Sequence, residues 1–85
     1  MSYRILWAPN AEEELAAILQ SSVRFAIYLS SIVRTIEGSL IASPLTFGES
    51  REGEMRVAIN PPLAIDFEVM KDVRTVVVHK IWRTD

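Results

Sequence analysis

The sequence predicts an α+β domain: one strand, a helical hairpin and a three-stranded antiparallel meander, forming a small sheet packed on the helices. Three observations predict it. The hydrophobic period is helical before Pro44 and two after it. Residues 2–7 (SYRILW) carry aromatic and β-branched side chains at alternate positions, Tyr3, Ile5 and Trp7, and stop at Ala8-Pro9-Asn10. The second half holds three strand-like runs whose separators, Asn60-Pro61-Pro62 and Lys71-Asp72-Val73-Arg74, are of hairpin length. At 85 residues the chain is one domain, spanning 1–85, with a small core.

The first strand alternates Tyr3, Ile5 and Trp7 against Arg4 and Leu6. Asn10 to about Gln20 reads as a helix, with Asn10 as N-cap, Glu13 at capping-box spacing, and Glu12–Glu14 at the positive end of the dipole. Leu15, Ile18 and Leu19 form its buried stripe. Ser21 or Ser22 caps a second helix running to about Ala42, with a stripe of Phe25, Leu29, Ile32, Ile36 and Leu40; Ser43-Pro44 ends it. Residues 45–53 read as loop. Strands follow at Met55–Ile59, Leu63–Met70 and Thr75–Trp82.

Setting Ile59 opposite Leu63 places Val57, Ile65, Met55 and Phe67 on an apolar face, with Arg56 opposite Asp66 on the other. Setting Met70 opposite Thr75 brings Asp66 opposite His79 and Glu68 opposite Val77. A β-bulge near residues 79–80 then returns Ile81 to the core.

Composition excludes several functions. An apolar fraction of 49% with 24% charged residues is that of a globular protein. There is no cysteine and a single histidine, so neither a thiolate nor a multi-histidine metal site is expected, and no cofactor motif is present. The net charge of −2 gives no broad attraction to nucleic acid. The apolar runs read as too short to span a membrane, and the start reads as no secretory leader, so the cytoplasm is the expected compartment.

The chemistry-bearing group is the expected polar row Arg56, Asp66 and His79, with Arg51, Lys80 and Arg83 at its ends. Cleaving RNA needs a proton acceptor, a proton donor and cations on the phosphate. Histidine, a carboxylate that orients it and arginine match that list in kind. The same row is equally read as surface electrostatics of an open sheet.

The whole chain resembles small toxins of the RelE/ParE superfamily. The likeness is carried by YRILWAPNAEEELAAIL, by SPLTFGESREGEMRVAI with its arginine at Arg56, and by PLAIDFEV followed by VVVHKIWR. The resemblance implies a cognate antitoxin as partner. For activity it implies either a ribosome-dependent messenger-RNA endoribonuclease or a non-enzymatic binder, such as a gyrase inhibitor or an inactive homologue. It carries a strand arginine onto Arg56, the closing basic residue onto Arg83 or Lys80, and a catalytic histidine near His79. In departure from the ribonucleases, this chain is acidic and has GESREGE where they often carry lysines.

A domain of this size cannot hide every apolar side chain. Surplus exposure is expected at Ile27, Tyr28, Val33 and Ile41 and at Val77 and Trp82; of these, Tyr28, Val33 and Trp82 are the expected antitoxin contacts. Self-association without the antitoxin is expected from the same surface.

Overall fold

The computed structural model describes residues 2–21 and 23–85. Its elements are β1 (Arg4–Trp7), α1 (Pro9–Ser21), α2 (Ala26–Ala42), β2 (Glu49–Ser50), β3 (Met55–Asn60), β4 (Leu63–Met70) and β5 (Thr75–Arg83). The order within the sheet is β1-β5-β4-β3-β2. All neighbours are antiparallel except β1 and β5, which run parallel with Ile5 beside Val76 and Trp7 beside Val78. The expected α+β architecture is present, with one strand more than the sequence suggests: β2, two residues inside the segment read as loop.

One sheet face carries the core. Ile65, Phe67 and Val69 of β4 and Val76, Val78 and Ile81 of β5 are buried there, with α1 packed over β5 and α2 alongside β1. The α2 side chains that reach this core are Leu29, Val33, Ile36 and Leu40, at helical spacing. Each contributes roughly 1.5–3 kcal/mol by leaving water. Val33 is therefore a core residue, 9% exposed, and not the exposed antitoxin contact expected of a position off the stripe. Phe25 lies off the stripe, in a 3-10 turn over Val23–Phe25 ahead of α2, and is exposed. Ile27, Tyr28, Ile41 and Trp82 are exposed as expected, and Val77 is half-buried.

The helix boundaries shift slightly. Pro9 opens α1, its fixed φ suiting a first helical position. This releases Asn10 from capping, and its amide donates to the His79 carbonyl instead. The Ser21 hydroxyl donates to the Ile18 carbonyl at the end of α1, and Ser22 lies outside the described residues. The combined helical segment Val23–Ala42 is 20 residues long and contains an 18-residue stretch with a mean hydropathy of 1.3, long and apolar enough by composition to cross a membrane. This corrects the expectation that no such run exists. Its buried stripe packs on the sheet, as in the core helix of a globular domain.

The main correction is in the β3–β4 register. Asn60 pairs with Leu63, so the turn is two residues, Pro61-Pro62, joined by a cis peptide. Relative to the expected pairing this is a slip of one position, which moves every β3 side chain to the other face. Ala58 faces the core beside Ile65, while Ile59 points away and is 63% exposed. The cause lies in the 45–53 segment. Phe47 packs against the core with its ring 6.1 Å from that of Phe67, so bulk that the β3 odd positions were expected to supply comes from the loop. The β4–β5 pairing is as expected from Met70–Thr75 to Phe67–Val78. Past it the register shifts, Asp66 pairs with Lys80, and Ile81 is buried. The bulge falls where the alternation of β5 fails.

Candidate functional site

Pairing places the expected site residues in three separate locations. Arg56 stands beside Phe67 on the core-facing side, not opposite Asp66. Its guanidinium turns toward the loop entering β2: Nε donates to the Phe47 carbonyl at 3.1 Å, Nη2 to the Gly48 carbonyl at 3.0 Å and Nη1 to the Ser50 hydroxyl at 2.9 Å. A planar fork with five donors suits this task, fastening a segment whose carbonyls have few backbone partners.

The second location is the open sheet face at the bulge. Extra length in β5 leaves His79 without a cross-strand partner, and Lys80 stands across from Asp66. His79 Nε2 lies 3.0 Å from Glu68 Oε1, both side chains about one-third exposed. The histidine thus takes Glu68 as its carboxylate, not Asp66. Glu68 is the residue of this face that the sequence reading did not name as a candidate. The signal was present, since Asp66 and Glu68 are two apart on one strand and must share a face. The backbone of the bulge is held from behind by α1. Asn10 Nδ2 donates to the His79 carbonyl at 2.6 Å, and the Ile81 amide donates to Glu14 Oε1 at 3.0 Å. Those two side chains serve the β5 edge where β1 has already ended at Trp7.

The third location is the end of β5. Arg83 Nε and Nη2 donate to the two carboxylate oxygens of Asp85 at 2.8 and 2.6 Å. This bidentate bond from Arg83 holds the Asp85 carboxyl below its ordinary pKa, and the same bond raises Arg83. Arg83 is opposite Leu63, three positions along β5 from Lys80, or about 10 Å of strand. Arg51 follows β2, so β3 and β4 intervene between it and β5. The structure therefore gathers His79, Glu68, Asp66 and Lys80 on one face and disperses Arg51, Arg56 and Arg83. Among the described residues, no group of three metal-ligating side chains forms.

Tyr28 and Trp82, the remaining expected antitoxin contacts, are both exposed, Tyr28 on α2 and Trp82 on β5. Around Tyr28 the first turn of α2 and the 3-10 turn before it present Val23, Phe25 and Ile27, the last 87% exposed.

This topology, a five-stranded sheet with one parallel edge strand and a helical hairpin on one face, is the RelE/ParE-type toxin fold. A chain of the toxin–antitoxin complex RelBE2 from Mycobacterium tuberculosis superposes with a TM-score of 0.67 at 21% identity, covering 98% of this chain and 99% of that one. A chain of the chromosomal ParDE toxin–antitoxin system from P. aeruginosa superposes with a TM-score of 0.76 at 18% identity, covering 98% and 97%. At such identities the likeness is one of fold. No family model and no curated protein matches the sequence.

Proposed function

We propose that the chain is the toxin-type half of a two-protein toxin–antitoxin module and acts by binding protein partners, a cognate antitoxin first among them. The observation that carries this reading is the exposed apolar surface of Val23, Phe25, Ile27 and Tyr28 at the start of α2. Water-exposed apolar side chains grouped in this way mark a contact surface. The likeness in fold to chains taken from toxin–antitoxin complexes supports it. Binding is favoured over RNA cleavage because Arg56 is committed to its own loop and Arg83 to Asp85, leaving neither guanidinium arranged to clamp a phosphate. The cytoplasm is the compartment that suits such a module.

Co-expression with the product of the adjacent gene is expected to yield a complex that raises the melting temperature by mass action. Replacing Ile27 and Tyr28 with Lys is expected to weaken that complex by about tenfold or more, roughly 1.4 kcal/mol, without unfolding the domain. No complex with the wild-type chain would overturn the reading.

A second reading, a ribosome-dependent endoribonuclease, is supported by the His79–Glu68 pair beside Lys80, a proton-transfer group with an orienting carboxylate. Expression without the partner separates the outcomes. Cut messenger RNA and translation arrest, lost in His79→Ala, would establish cleavage. DNA damage with filamentation would point to DNA gyrase as the target. Intact messages are expected from the binding reading.

A further inference from the structure

We propose that the β2 edge of the sheet pairs with the β2 edge of a second copy of this chain, antiparallel about Ser50, so that two five-stranded sheets join into one. This contact stands apart from the partner reading, whose surface is at the start of α2.

The backbone pattern is set at the β3–β4 turn. Asn60 and Leu63 close a two-residue hairpin and so exchange backbone bonds, as Ala58 does with Ile65 and Arg56 with Phe67. The alternate residues Met55, Val57 and Ile59 therefore turn their backbone groups toward β2. The Arg51 amide donates to the Met55 carbonyl at 2.8 Å, and Glu49 stands opposite Val57. Between those two bonded positions, Ser50 turns its own N–H and carbonyl away from β3. β2 is the last strand in the order, so Ser50 presents one donor and one acceptor at an open edge.

The side chains alternate in step. Ser50 lies on the core side, where its hydroxyl accepts from Arg56 Nη1. Glu49 and Arg51 share the open face, two positions apart and both exposed. Neither takes part in an ion pair among the described residues. With Gly48, Val57 and Ile59 they line a groove of about 300 Å3 along this edge. Ile59 is exposed and Val57 half-buried, which gives the groove an apolar side.

The order of the charges selects the occupant. An antiparallel second copy centred on Ser50 sets its Arg51 against Glu49 and its Glu49 against Arg51. These flanking positions are the non-hydrogen-bonded pairs, where strands come closest, about 4.5 Å between Cα atoms. The two Ser50 residues face each other across the two-fold axis and exchange N–H···O bonds. The aliphatic stem of each arriving arginine lies along Val57 and Ile59 while its guanidinium meets Glu49. A parallel copy would set like charge against like, so the pattern specifies the antiparallel, closed pair. Two backbone bonds and two exposed ion pairs make a weak dimer that forms at high concentration and loosens with salt.

The chain has no cysteine, which makes the contact testable by cross-linking. In Ser50→Cys the two thiols belong to residues about 5.5 Å apart at Cα, within disulfide reach. Mild oxidation is expected to link them about tenfold faster than in Thr84→Cys, an exposed control beyond β5. Adding either Glu49→Arg or Arg51→Glu to Ser50→Cys is expected to slow the reaction about tenfold, because like charges then meet. Mixing these two doubly substituted chains in equal amounts is expected to restore it as a linked heterodimer, which also shows that both fold. Replacing Ile27 and Tyr28 with Lys in the Ser50→Cys chain is expected to leave the rate unchanged. Equal rates for Ser50→Cys and Thr84→Cys, or charge reversals without effect, overturn the proposal. A rate that falls with the Ile27 and Tyr28 changes traces the cross-link to α2 and overturns it too. So does a Ser50→Cys chain that stays monomeric and has its thiol shielded only by the adjacent-gene product, which gives the edge to a strand of that partner.

Discussion

Gly48→Ala is expected to lower the melting temperature by on the order of 15–25 °C, the largest effect of an added methyl group at any of the three glycines. Gly48 sits at φ +73°. A Cβ there would lie 2.1 Å from the Val57 carbonyl oxygen and 2.8 Å from the Ala58 Cβ. The left-handed conformation alone costs an alanine about 1 kcal/mol. The contact adds more, because the opposing atoms are β3 backbone and cannot rotate away. Relief requires β2 and the loop to lift from β3, forfeiting the Ser50–Arg56 pairing and part of the Phe47 packing. A total of about 3–4 kcal/mol follows. Thermal unfolding followed by circular dichroism measures it, and a fall of only a few degrees would show that the loop is not held against β3.

Arg56→Ala is expected to destabilise the domain by about 2–3 kcal/mol, or on the order of 10–20 °C in melting temperature. The substitution strips donors from the Phe47 and Gly48 carbonyls and from Ser50 together. Arg56→Lys is expected to recover less than half of the loss, since one ammonium cannot reproduce a three-point fork. This prediction separates two roles for the residue. An arginine serving only to grip phosphate on an open face would leave the melting temperature unchanged on mutation. Any activity lost in Arg56→Ala therefore needs a stability measurement beside it before the loss is read as chemistry.

The element order, the α2 helix, the β4–β5 register and the bulge were legible because each rests on a local pattern. The bulge, for instance, is announced by Lys80 and Ile81 breaking the alternation of β5. The β3 register was not legible. Met55, Val57 and Ile59 make a persuasive apolar face, and only the two-residue Pro61-Pro62 turn and the distant Phe47 decide that Ala58 points inward instead. The candidate site failed at that same point, because the Arg56–Asp66 pairing depended on the register. The partner of His79 was misassigned for a related reason: a bulge that is correctly located still leaves open which of two carboxylates, Asp66 or Glu68, the ring reaches. The hydrogen bond from the Trp7 indole N–H to the Glu37 carboxylate joins residues 30 apart on different elements, and no spacing rule in one sequence reveals it.

The parallel pairing of β1 with β5 has a consequence for biosynthesis. Arg4 and Thr75, bonded through side chains as well as register, are 71 residues apart. At ~5–20 residues per second, the first strand is made about 4–14 s before its pairing partner. During that interval Ile5 and Trp7 have no strand to lie beside, and the sheet cannot close. The nascent chain is thus aggregation-prone until its last strand emerges, and contacts of such long range fold slowly. An already synthesised binding partner that covers apolar surface on the helical hairpin would act first on this unfinished chain, as a chaperone, before it acts on the finished domain.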